Sequence, residues 1–109
     1  MGQGYVKVET FVPEEALDAV LAALAEAGAG RVGEGPYDSC ATTSSVTGHW
    51  RPLAGARPYA GEVGELASEP EVKIEVTVAR ELLDDVVAAI CRVHPYEEPV
   101  ICAWPLLVP

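Results

Sequence analysis

The strongest constraint on the fold is an internal duplication. When the chain is shifted by 66 positions it aligns with itself without a gap, so that residues 7–9 (Lys-Val-Glu) fall on residues 73–75 (Lys-Ile-Glu) and Leu17-Asp18 falls on Leu83-Asp84. Self-similarity at one fixed offset indicates that a single supersecondary unit is used twice.

Both copies change from a strand pattern to a helix pattern. Apolar residues first alternate with polar ones, which is typical of a half-buried strand: Val6, Val8 and Val12, then Val72, Ile74, Val76 and Val78. A stripe at i, i+3, i+4 and i+7 follows, which predicts an amphipathic helix: Leu17, Val20, Leu21 and Leu24, then Leu83, Val86, Val87 and Ile90.

Local signals predict where the helices begin and end. Pro13 with Glu14 and Glu15 suits a first turn, because proline's missing N–H is harmless there and carboxylates face the positive end of the helix dipole. Gly28 is placed to end the first helix. His94 occupies the equivalent position in the second copy and is predicted to be a helix stop.

The remaining segments complete the order strand, helix, strand, long loop, strand, helix, strand. Residues 37–46 have strand propensity, 48–70 are studded with Gly and Pro, and 100–106 form the last strand. This predicts one α+β domain over residues 1–109, a ferredoxin-like βαββαβ sandwich with an antiparallel four-stranded sheet and two helices on one face.

Right-handed crossovers lead us to expect the first and third strands side by side and parallel. Lys7 and Glu9 would then face Lys73 and Glu75 on the open side of the sheet. That side, lacking helices, is a candidate association surface.

Charge and cysteine usage exclude several classes of function. The formal net charge is −10 with seven Lys and Arg, which disfavours nucleic acid and anionic membranes as partners. No leader is visible, and no apolar run approaches the roughly 18 residues of a membrane span. The cysteines, Cys40, Cys91 and Cys102, are odd in number and widely spaced, so we expect reduced thiols in a cytoplasmic protein and no structural zinc.

The densest group of reactive side chains is the elbow, residues His94–Pro99, where two prolines hold the backbone out of helical geometry. His94, Glu97 and Glu98 could bind copper or zinc, joined by His49 or Cys40. Alternatively, His94 ends the helix and the glutamates form ion pairs.

The long loop concentrates cations and aromatic rings in an otherwise acidic chain. Arg51 and Arg57, with Trp50 of the loop and Tyr96 of the elbow, could bind a small ligand, since guanidinium groups suit carboxylates and phosphates and an indole offers a stacking face. The same arginines could instead bridge to another subunit.

Cys40 raises the possibility of a small Cys/His enzyme. A nucleophilic thiol needs an activating base, and only His49 or His94 could supply one from a distance. We therefore interpret Cys40, and Cys91 at the border of a helical stripe, as core thiols.

Four motifs in order resemble a known family: Tyr37–Cys40, Thr47–Pro52, Gly55–Gly61 and His94–Pro99. They are similar to the domain inserted in YqfO proteins of the Nif-three-like family, which is similar in fold to the CutA and PII signalling proteins.

The resemblance implies a stand-alone insert domain that associates as a homo-oligomer, with a trimer favoured over a dimer, and a long loop that contacts a ligand or partner. The family's two-metal centre lies in the flanking domain, so no hydrolase activity carries over. The function implied is a non-catalytic binding or regulatory module, or alternatively a divalent-metal tolerance protein of the CutA kind.

Overall fold

The computed structural model describes residues 4–109. Within that range a four-stranded antiparallel sheet, in the order β2-β3-β1-β4, is covered by two helices. In chain order the elements are β1 (Tyr5–Val12), α1 (Leu17–Glu26), β2 (Thr42–Trp50), β3 (Ala67–Ala79), α2 (Leu83–Val93) and β4 (Ile101–Leu106). A 3-10 turn precedes each helix, at Glu14–Ala16 and Arg80–Leu82. The predicted ferredoxin-like sandwich is confirmed.

The duplication is visible in the element boundaries. The 3-10 turns begin at Glu14 and Arg80, and the helices begin at Leu17 and Leu83, so each pair is separated by the offset found in the sequence. Each unit is therefore a strand, a tight turn and a helix built to one plan.

The predicted parallel pairing of the first and third strands is wrong. β1 and β3 are antiparallel, with Val6 opposite Val78 and Val12 opposite Val72. The physical reason is the β2–β3 hairpin, which turns the chain back so that β3 runs between β1 and β2, each antiparallel to it.

The core lies between the helices and the inner face of the sheet. Val8, Ile74 and Val78 from the strands and Val20 and Ile90 from the helices are almost completely buried. Burying one such side chain contributes roughly 1.5–3 kcal/mol, so the alternating and helical stripes account for most of the stabilisation.

Gly28 ends α1 as predicted. Its φ of 92° is a left-handed conformation that suits glycine. The Gly28 N–H donates to the Ala25 carbonyl (3.1 Å) and the Ala29 N–H to the Leu24 carbonyl (3.0 Å), which is the Schellman pattern.

The open face carries the expected charges in a changed arrangement. Lys73 Nζ lies 3.3 Å from Glu9 Oε1 and 3.2 Å from Glu75 Oε2. Hydrogen bonds from Glu75 and then Glu9 raise the pKa of the Lys73 ammonium. The antiparallel register places Thr77 opposite Lys7, and Lys7 Nζ donates to Thr77 Oγ1 (3.1 Å).

The loop between β2 and β3 covers residues 51–66, shorter than the predicted 48–70. Gly48 and Pro70 belong to the strands, paired with Glu69 and Thr47 respectively. Proline is tolerated there because the pairing of β3 with β1 stops at Val72, so Pro70 needs no N–H for that side. The hairpin extends past β1, and the longest dimension of the molecule is 49 Å.

Neither helix in residues 4–109 combines the length and apolar character needed to cross a membrane.

Candidate ligand-binding cleft

A cleft of about 710 Å³ opens at the end of the sheet where β1 finishes and β3 begins. It lies between the end of β2, the 51–66 loop and the elbow. Its walls include Phe11, Trp50, Arg51, Glu71, Tyr96 and Glu97. Of the predicted ligand-binding residues, Trp50, Arg51 and Tyr96 line the cleft, together with His49, Glu97 and Glu98 from the predicted metal set. Arg57 and His94 are outside its lining.

His94 fixes the elbow to the end of β1. The residue caps α2 in an extended conformation (φ −71°, ψ 130°), because Pro95 disfavours helical geometry before it. Its ring Nε2 donates to the Phe11 carbonyl (2.7 Å), and Nδ1 accepts from the Tyr96 N–H (3.1 Å). An accepting Nδ1 assigns the proton to Nε2, so this buried imidazole is neutral and has both nitrogens in use.

Tyr96 holds a buried carboxylate at the back of the cleft. Its hydroxyl donates to Glu71 Oε2 (2.5 Å), and Glu71 is only 7% exposed. Burial raises the pKa of the Tyr96 phenol, and the hydrogen bond to Glu71 raises it further. The phenol therefore stays neutral and serves as a donor.

Gly48 makes room for that carboxylate. Glu71 pairs with Val46 and lies diagonally over Gly48, and a Cβ at Gly48 would lie 2.1 Å from Glu71 Oε1. Sequence reasoning missed both residues, although a glutamate beside a glycine in a strand pattern is the signal that could have identified them.

The 51–66 loop is fastened across the cleft by several contacts. The Arg57 backbone N–H donates to Glu97 Oε1 (2.9 Å), so Arg57 ties the loop to the elbow through its main chain. Trp50 Nε1 donates to the Ala60 carbonyl (3.2 Å). The Tyr59 hydroxyl donates to Glu15, and its ring lies 5.7 Å from that of Tyr96. The bond from Tyr59 lowers the pKa of Glu15 and raises that of Tyr59.

The predicted copper or zinc ligands do not form a metal-binding group. No three His, Cys, Asp or Glu side chains are grouped to hold a metal ion in the part of the chain that the structure describes. His94 has both ring nitrogens in hydrogen bonds, and Glu97 accepts from Arg57. The predicted donors His94, Glu97, Glu98 and His49 are therefore not grouped around one point in this structure.

The cysteines do not pack in the core. Cys40, Cys91 and Cys102 are exposed free thiols, so the prediction of core thiols at Cys40 and Cys91 is wrong. β2 starts at Thr42, later than predicted, and Cys40 lies before it in a run of exposed residues, where its Sγ contacts the Asp38 carbonyl (3.6 Å). Cys91 faces solvent from α2. Because His94 has both ring nitrogens engaged, it cannot act as the base for a catalytic thiol.

Comparison with known proteins identifies relatives that match more than nine-tenths of this chain. A Bacillus subtilis protein named GTP cyclohydrolase 1 type 2 homolog is 41% identical over 100 residues, which is 92% of this chain and 26% of that protein. The crystal structure of a Bacillus cereus protein related to NIF3 matches 95% of this chain with a TM-score of 0.82 and 35% identity, over 26% of its own chain. The chain is a relative of the YqfO/NIF3-type proteins.

The relationship covers only a segment of those proteins, since this chain spans about a quarter of their length. The fold also matches the divalent ion tolerance protein CutA1 from Ehrlichia chaffeensis, over 100% of this chain and 87% of that one, with a TM-score of 0.70 and 18% identity. That likeness establishes a shared fold. No protein-family model matches the chain. The predicted resemblance to the YqfO, Nif-three-like and CutA-like proteins is confirmed.

Proposed function

We propose that this chain is a non-catalytic binding or regulatory module that self-associates and binds a small ligand in the cleft beside the elbow. The observation that carries the proposal is the cleft itself, in which side chains from three separate segments converge. Trp50 and Tyr96 offer ring faces and Arg51 offers a guanidinium group, while Arg57 fixes the loop through its backbone. A concave site with aromatic walls and a few polar groups is the usual form of a small-molecule site.

The non-catalytic part of the proposal rests on the chemistry of the same residues. The neutral Tyr96 and the fully bonded His94 orient the elbow, and the Cys40 thiol has no recorded contact with a histidine in residues 4–109. Such an arrangement is suited to recognition. The activity named for the longer relatives is not assigned to this segment, which accounts for about a quarter of them.

Self-association is supported by an uncovered sheet. Most residues of β2 are exposed although the strand is fully paired with β3, and β2 lies at an edge of the sheet. Apolar side chains are also exposed at the opposite edge, where Trp104 of β4 is 40% exposed, and in the loop, where Leu53 and Leu66 are 62% and 85% exposed. Exposed strand edges and exposed apolar side chains both favour association with another chain. We propose a homo-oligomer, with a trimer as the expected size.

Light scattering coupled to gel filtration tests the assembly. We expect an oligomer at micromolar concentration, which Trp104→Glu converts to monomer because it places a charge in the proposed interface. Ala22→Glu is the matched control, since Ala22 is exposed on the helix layer away from the sheet. A monomeric wild-type protein would refute self-association.

A thermal-shift screen with nucleotides, amino acids and amines tests the ligand site. We expect at least one compound to raise the melting temperature, with a smaller shift in Arg51→Ala. Arg92→Ala removes the same charge from the exposed end of α2 and should retain the full shift. Equal shifts in both variants would place the binding outside the cleft.

A further inference from the structure

The cleft contains a buried negative charge without a cationic partner. Glu71 is 7% exposed, and the hydrogen bond recorded for it comes from the neutral Tyr96 hydroxyl. No Lys or Arg of residues 4–109 forms an ion pair with it, and the nearest lysine along the strand, Lys73, is engaged by Glu9 and Glu75. Buried carboxylates are rarely left in this state, because desolvation is costly unless a cation compensates.

The free oxygen of this carboxylate belongs to the cleft. Tyr96 occupies Oε2, whereas Oε1 lies over Gly48, and both Gly48 and Glu71 line the cleft. Any side chain at position 48 would fill the space that Oε1 uses. The sheet is thus built to hold one carboxylate oxygen in a recess that a ligand can reach.

The surroundings favour positive charge. The lining contains three carboxylates, from Glu71, Glu97 and Glu98, against the single guanidinium of Arg51. Aromatic rings of Trp50, Tyr59 and Tyr96 also line it. Ring faces attract cations, and the attraction increases when both are shielded from water. Phosphate-rich ligands would be repelled by the same carboxylates.

We propose that the cleft recognises an organic cation, an alkylammonium or guanidinium group that sits on Glu71 between the aromatic rings. This inference rests on the proposed ligand-binding function and names the chemical class of the ligand. The cation would supply the partner that Glu71 lacks, and Arg51 at the rim would remain available for an anionic part of the same molecule.

Matched probes test the charge requirement. Benzylammonium, benzylguanidinium, benzyl alcohol and benzyl phosphate share one ring and differ in the attached group. Binding is measured by titration calorimetry, and the site is located from the amide shift of Gly48 and the indole N–H shift of Trp50. We expect both cations to bind and to shift these signals, with the alcohol and the phosphate weaker by about tenfold or more.

Two variants assign the binding to one carboxylate. Glu71→Gln keeps an acceptor for Tyr96 and removes the charge, so cation affinity should fall by about tenfold or more. Glu69→Gln makes the same change two residues earlier on the same face, outside the cleft lining, and should bind like wild type. A cooperative thermal transition of the unliganded Glu71→Gln protein verifies that the variant folds.

Each contrary result has a distinct meaning. Benzyl phosphate binding more tightly than the cations, with shifts at Gly48 and Trp50, would overturn the cation inference and leave a ligand-binding cleft. No shift from any probe, together with no hit in the wider thermal-shift screen, would remove both proposals. Equal loss in Glu71→Gln and Glu69→Gln would indicate diffuse charge attraction. If the Gly48 amide signal moved with protein concentration and not with added probe, Glu71 would belong to a contact between two copies of the chain. That result would overturn the inference.

Discussion

Replacement of Gly48 by alanine tests whether the buried carboxylate is held as the structure shows. Gly48 is outside the set of positive-φ glycines, so its backbone accepts alanine without strain. The new Cβ would lie 2.1 Å from Glu71 Oε1 and 2.5 Å from Glu71 Cδ. Because the carboxylate is the end of a flexible side chain, it can rotate away, and the cost is the loss of its hydrogen bond from Tyr96.

The magnitude follows from two opposing contributions. A hydrogen bond to a charged group contributes about 1.5–3 kcal/mol. Alanine in place of glycine at a compatible position stabilises by about 0.4–1 kcal/mol through the unfolded state. Gly48→Ala should therefore lower the free energy of unfolding by about 1–2 kcal/mol, given these two ranges. The melting temperature should fall by roughly 5–10 °C, given the size of the chain.

A double-mutant cycle isolates the contact. In a Glu71→Ala background the new Cβ meets no carboxylate, so Gly48→Ala should be neutral or stabilising by up to about 1 kcal/mol. Gly35→Ala, in an exposed turn with no atom near the added Cβ, is the control and should change stability little. Urea unfolding at one fixed protein concentration measures all variants. The same cost for Gly48→Ala in both backgrounds would show that Glu71 does not occupy the recess.

Three further predictions concern the ionisable groups around the cleft. The hydrogen bond from Tyr59 lowers the pKa of Glu15. The Glu15 carboxylate therefore stabilises the loop above pH 4.5, its ordinary pKa, and this stabilisation is lost as the pH falls below that value. Tyr59→Phe should abolish this acid dependence in a pH series of melting temperatures. The pKa of Tyr96 is raised by burial, so stability should fall as pH rises above 10.0, and Tyr96→Phe should flatten that decline in alkaline urea titrations. Zinc titrated into chelator-treated protein should show no micromolar site at the elbow because both His94 nitrogens are engaged, and heat that disappears in His94→Ala would contradict this.

Periodicity predicted the layers of the fold because each buried position follows from a local repeat. Val20 and Ile90 are buried where the helical stripes placed them, and Gly28 ends its helix as expected. Strand direction was not recoverable in this way, because it depends on the hairpin between β2 and β3. The ends of that hairpin were also misplaced, since Gly48 and Pro70 look like loop residues when their neighbours in the sheet are unknown.

The candidate site was only partly predictable for a related reason. Trp50, Arg51 and Tyr96 were identified because aromatic and cationic residues stand out in an acidic chain, and they do line the cleft. Glu71 was overlooked because a glutamate in a strand normally faces water. Its burial arises from the elbow and the loop, which come from segments that are distant in sequence and close over it only in the folded protein.

The duplication explains why the cleft occurs at one end of the molecule. His94 is the equivalent of Gly28 and Tyr96 of Gly30, and Phe11 is the equivalent of Thr77 at the 66-residue offset. In the first copy the Gly30 backbone N–H donates to the Thr77 carbonyl (2.8 Å).

In the second copy the elbow is extended at its prolines, and the His94 imidazole donates to the equivalent Phe11 carbonyl instead (2.7 Å). The equivalent strand carbonyl thus accepts a hydrogen bond in both copies, from a backbone N–H in the first and from an imidazole in the second.

Because the His94 imidazole satisfies the Phe11 carbonyl, the backbone of Tyr96 is not needed there, and its side chain reaches across the sheet. Its target, Glu71, stands where the first copy has Tyr5, whose hydroxyl accepts from the Gly33 N–H (2.9 Å). The groove beside the corresponding turn of the first copy, at Gly30, is smaller, about 320 Å³. The two copies keep the same strand–helix frame and differ where the second one exchanges a turn for a histidine-anchored elbow, and it is there that a carboxylate is buried in reach of a ligand.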